Sequence, residues 1–159
     1  MFKRSSILCV LLASSTLLAM ENQPVDNSDQ MQMMLTAIAK KHDQEKIKAY
    51  EVKIEKALQI YLSDCLVDET NVKNTQGIEK TSKDLLAYLI SAGERDEAYS
   101  ITSMTFILSW TKTINELAKT ITTEKEVENL QKATDIIRDF VEKTFLEPMS
   151  QILAESDEE

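Results

Sequence analysis

Four groups of side chains in this chain have the types that chemistry needs, and their spacing can be tested against each chemistry in turn. His42 stands in KKHDQE with Glu45 three residues on. On a helix that spacing puts an imidazole and a carboxylate on one face, enough for two metal ligands. A closed site takes about four, and the chain has no second histidine and no Cys/His cluster to complete it. One histidine also cannot furnish the two Glu-x-x-His pairs of a di-iron carboxylate bundle. No Cys-x-x-Cys-His is present to attach haem. His42 is therefore expected to be a solvated surface histidine, whose replacement by glutamine changes stability by less than about 0.5 kcal/mol.

Ser109-Trp-Thr-Lys112 matches the Ser-x-x-Lys pattern, in which a lysine deprotonates a serine nucleophile. The accompanying Ser-Asp-Asn and Lys-Thr-Gly elements are missing, since Lys112-Thr113 is followed by Ile114. A Ser–His–Asp triad would have to draw on His42. Neighbouring carboxylates (Asp68 with Glu69, Glu94 to Glu97) read as solvated faces of an acidic chain. Met31, Met33 and Met34 are soft thioethers of the kind that bind Cu(I). Met31 and Met34 also fit a core stripe, where methionine fills irregular gaps. The expectation is a protein with no catalytic, cofactor-binding or metal-ligating residues, and not an enzyme.

The first residues give an address. Lys3 and Arg4 precede an uncharged run, Ile7 to Met20, and Glu21 opens a polar region. Basic, then apolar, then polar is the order of a secretory signal peptide. The apolar run is shorter than the ~20 residues a spanning helix needs. Cleavage is expected after Ala19, with an uncleaved anchor as the other reading. Leu8 before Cys9 argues against a lipoprotein signal. A secreted or periplasmic protein follows, with no stable membrane span once the signal is removed.

Removing residues 1–19 leaves 16 basic against 27 acidic residues, a net charge of −11. Such a field repels phosphate backbones and anionic head groups, so no nucleic-acid partner is expected. Cys65 is then the one cysteine, and no intramolecular disulfide can form. Its spacing from Tyr61 and Leu58 points to burial on an apolar helical face; the alternative is a homodimer cross-linked through Cys65.

Positioning all these groups falls to helices. Two glycines and two prolines in 159 residues are too few for a turn-rich β fold or a glycine-lined phosphate loop. Residues 20–28 read as a flexible leader, and Ser28 or Asp29 as the cap of a long first helix reaching about Val67. Its early stripe is Met31, Met34, Leu35, Ile38; its later one is Ile47, Tyr50, Ile54, Ala57, Tyr61, Cys65. The stripes are out of phase, which predicts a break near 40–46. A second helix over about 78–92 uses Ile78, Leu85, Leu89 and Ala92, ended by Gly93 in the left-handed conformation. A third spans about 96–121. Its uncharged run YSITSMTFILSWT also alternates like a strand, but no comparable strand exists to pair with it. Helix is the better reading, and the most buried of the set. Thr123 and Glu126 form a capping box that opens the fourth helix. That helix carries Val127, Leu130, Ile137, Val141, Phe145 and Ile152, and Pro148 should kink it or end its regular part.

An all-α antiparallel bundle of about four helices over residues 29–154, with an acidic tail at 155–159, is thus expected. Its function is read as binding another macromolecule, a protein, as a secreted interaction factor or a periplasmic adaptor or chaperone. The alternative is a bundle that holds a small apolar ligand among Tyr88, Phe106, Trp110 and Phe140.

Overall fold

The computed structural model describes residues 26–40 and 42–157. The signal peptide read at 1–19, Cys9 and the leader as far as residue 25 lie outside the described residues. Six α-helices follow in chain order: α1 (Asp26–Ala39), α2 (Gln44–Val67), α3 (Gln76–Ala92), α4 (Arg95–Ala118), α5 (Glu124–Val141) and α6 (Glu147–Asp157). A 3-10 turn (Glu69–Lys73) separates α2 from α3, and a π-helical turn (Glu142–Leu146) joins α5 to α6. The protein is an all-α antiparallel bundle, and the described residues contain no strand.

The break expected near 40–46 is present between Ala39 and Gln44. Asp43 caps the new start, its side chain accepting from the Lys46 N–H at 3.1 Å. This satisfies one of the donors a helix N-terminus leaves open. Two boundaries differ from expectation. α1 begins at Asp26, so residues 26–28 belong to a helix, and neither Ser28 nor Asp29 caps it. α6 runs to Asp157, so the start of the acidic tail is helical as well.

α4 is the central element, packing against α1, α2, α3, α6 and the π-helical turn. Within its strand-like run, Thr102, Ser103, Ser109 and Thr111 find acceptors inside the helix, whereas the buried Thr105 hydroxyl has none. Thr102 donates to the Ala98 carbonyl at 2.8 Å, Ser109 to Thr105 at 2.8 Å and Thr113 to Ser109 at 2.7 Å. Ser100, Thr102, Ser103, Thr105 and Ser109 are all buried. Small polar residues satisfied this way let neighbouring helices approach closely. Between them sit Ile101, Met104, Phe106, Ile107 and Trp110, in contact with the core face of α2 (Ile47, Ile54, Leu58, Tyr61, Leu62, Cys65) and with Leu85 and Leu89 of α3.

The capping box of α5 is complete. Thr123 accepts from the Glu126 N–H at 3.2 Å, and Glu126 accepts from the Thr123 N–H at 2.9 Å. These bonds hold the Glu126 carboxyl below the ordinary carboxylate range, the Thr122 N–H contributing most. Pro148 acts as its chemistry requires. It has no N–H for the Thr144 carbonyl four residues earlier, and the regular part of α5 ends at Val141, with the π-helical turn in between.

Candidate functional site: the groove between α2 and α3

The Ser-x-x-Lys pair and the methionine cluster singled out in the sequence do not come together. Ser109 is buried and donates to a backbone carbonyl of its own helix. Lys112 faces outward, and both oxygens of Glu55 hold its ammonium at 3.0 Å, which raises its pKa. Met31 is in the core whereas Met33 is 73 % exposed, so the three thioethers do not converge. Among the described residues, no three His, Cys, Asp or Glu side chains gather where a metal ion would fit.

His42 is placed differently from expectation. Its side chain is 5 % exposed, with Nε2 3.6 Å from a Glu97 carboxylate oxygen of α4. Nε2 is buried without a hydrogen-bond partner. The ring lies over Gly93, where an added Cβ would meet Cε1 at 3.0 Å. Gly93 closes α3 as expected, but in an extended conformation (φ −168°, ψ −151°) and not a left-handed one. Glycine suits that position, because a Cβ there would crowd the imidazole. A polar local sequence concealed this: the break after Ala39 turns His42 inward, while Glu45, three residues on, stays exposed.

The aromatic walls proposed for an internal ligand fill one another's space. Phe106 packs on Phe140 (5.4 Å between centroids) and on Phe145 (5.8 Å). Tyr88 instead stacks on Tyr50 at 5.7 Å on the α2–α3 seam. Cys65 is 0 % exposed, and burial pushes its thiol pKa up. The buried reading of Cys65 holds. A cross-link to a second copy through Cys65 would first require this thiol to become accessible.

What the bundle does leave open is a groove of about 420 Å³ between α2 and the start of α3. Ala57, Ile60, Tyr61, Gly77 and Ile78 contribute its apolar lining, and Ile60 is 54 % exposed. Lys53, Lys56 and Lys80 stand on the rim, with Asp64, Asn71 and Asn74 at the far end. The 3-10 turn shapes that end. Tyr61 donates to the Val72 carbonyl at 2.7 Å, and Asn71 to the Asp64 carbonyl at 3.1 Å. Burial pushes the Tyr61 phenol well above its usual pKa, so it stays a neutral donor. The turn is tied down from α5 as well. Glu69 takes Lys132 at 2.6 Å and Lys125 at 3.2 Å, and these bonds keep its carboxyl below the ordinary range.

A cation–aromatic ladder lies on the same α2–α3 seam. Lys53 lies over Tyr50 at 5.0 Å and Lys46 over Tyr88 at 5.3 Å, flanking the stacked rings. The alternate cleft beside Lys112, about 380 Å³, is lined mainly by polar side chains, and its lysine is already held by Glu55.

Comparison of the chain with protein-family models, curated proteins and solved structures returns no match.

Proposed function

We propose that the mature chain is an exported, non-catalytic helical bundle that binds a protein partner, and that the groove between α2 and α3 is the contact. One observation carries this reading: an apolar floor with Ile60 half in water, next to a fully packed core. Isolated exposed apolar residues are ordinary, but one seated in a formed groove with polar ends is the anatomy of a recognition site. Export is supported by the basic, apolar, polar order of residues 1–21. No helix among the described residues is long and apolar enough to cross a membrane.

Gly77 offers a clean probe. A Cβ there would meet nothing within 4 Å, so Gly77→Phe introduces bulk at the groove with no clash at its Cβ. Tagged wild-type and Gly77→Phe proteins, recovered from the host after fractionation, should both begin near Met20 and lie outside the cytosol. Wild type should retain a stoichiometric protein partner that Gly77→Phe loses at unchanged helicity. Intact Met1 on cytosolic protein contradicts export, and equal capture by both contradicts the groove.

A further inference from the structure

We infer that the α2–α3 groove is built for an acidic amphipathic helix, an inference that rests on the groove being the partner contact. Shape is the first argument. Lys53 to Asp64 is eleven residue steps along α2, about 16 Å at ~1.5 Å per step. Including Tyr50 lengthens the strip to about 21 Å. An i, i+4, i+7 set of anchors spans about 10 Å and fits within it. A small ligand is usually enclosed over most of its surface, whereas this floor lies open to water at Ile60.

Charge is the second. The chain as a whole carries −9, yet the groove presents three lysines against one aspartate. Most other lysines of the described residues are already held by carboxylates, as Lys48, Lys83, Lys112, Lys125, Lys132 and Lys143 are. Lys80 is likewise paired with Asp84, at 3.4 Å, which among the described residues leaves Lys53 and Lys56 as the free charges of the groove. Lys53 leans over Tyr50, and no carboxylate comes within ion-pair distance of Lys56 among the described residues. On an acidic surface, one locally basic, apolar-floored strip favours an acidic partner helix over a basic one.

The test uses a fluorescein-labelled helical peptide of about four turns, with leucines spaced i, i+4, i+7 and glutamates on both flanks. Its counterpart carries lysine for every glutamate, and dodecanoate is a third probe. Protein processed by its host should bind the acidic peptide at least tenfold more tightly than the basic one, with affinity falling as salt rises. Gly77→Phe should abolish binding. The double change Lys53→Glu and Lys56→Glu should reverse the peptide preference, an outcome that loss of folding cannot produce. Equal affinity for the two peptides, an unaffected Gly77→Phe protein, or binding of dodecanoate alone would each overturn the inference. If Gly77→Phe loses the host partner while the acidic peptide never binds, the groove remains the contact and its acidic chemistry falls. If neither is affected, both readings fall.

Discussion

Replacing Gly93 and His42 by alanine, singly and together, probes the contact that local sequence hid. In wild type an alanine Cβ at Gly93 would stand 3.0 Å from His42 Cε1 and 3.7 Å from Nε2, so a ring only 5 % exposed must shift by a few tenths of an ångström. Overpacking of this kind costs about 1–3 kcal/mol. Against it runs a gain of about 0.4–1 kcal/mol, because alanine restricts the unfolded chain and the extended backbone at Gly93 accepts it. Gly93→Ala should therefore destabilise wild type by about 1 kcal/mol. His42→Ala alone should cost about 1–2 kcal/mol, within the range for loss of a buried side chain. With His42 already removed, nothing opposes the entropic gain, and Gly93→Ala should stabilise by about 0.5 kcal/mol. The expected coupling is thus about 1.5 kcal/mol, read from equilibrium urea unfolding at unchanged m-value. Equal effects of Gly93→Ala in both backgrounds, within about 0.3 kcal/mol, would refute the packing of His42 on Gly93.

Trp110→Ala should cost about 3–5 kcal/mol, the range for emptying a large aromatic site, because the ring is buried in the core. Trp110→Phe should be much milder, since the indole N–H it removes has no acceptor; equal losses in thermal melts would contradict this. Acid should weaken the fold. Glu126 and Glu69 titrate lower when folded than when unfolded, so their contribution is present above ~4.3 and is lost as pH falls through the folded values. The urea midpoint should drop on acidification, and drop less in Glu126→Gln. Cys65 should resist Ellman's reagent until denaturant is added, and non-reducing gels should show monomer; rapid labelling of native protein would contradict its burial.

Helix type and the break after Ala39 were legible because they depend on periodicity within one segment, and the Thr123–Glu126 box because a cap is local chemistry. The hydroxyl-rich run of α4 was readable only through elimination, since its hydroxyl-to-carbonyl bonds appear once the helix exists. Faces were less legible. The stripe read on α2 named Tyr50 and Ala57 as core, but both are half-buried, while Leu58 and Leu62 are fully buried. Tyr50 and Ala57 lie along the seam with α3, so the rotation of the stripe was itself a trace of the groove. Val127 was likewise read as core and is 52 % exposed. His42 could not be placed from its neighbours, because its surroundings come from Gly93 and Glu97, more than fifty residues away. Lysines 53, 56 and 80 looked like any solvated charges; only the pairing of α2 with α3 makes them a rim.

The most direct test of partner binding in the groove is site-specific photo-crosslinking in the host, with a photoreactive residue at Ile60 and, as control, at Val127 on α5. Both positions are more than half exposed, at 54 % and 52 %, so either can react with what lies against it. A discrete protein adduct at Ile60, absent at Val127 and absent from the Ile60 probe once Gly77→Phe is added, is the expected result. Adducts of equal yield at both positions, or an Ile60 adduct that survives Gly77→Phe, would contradict it.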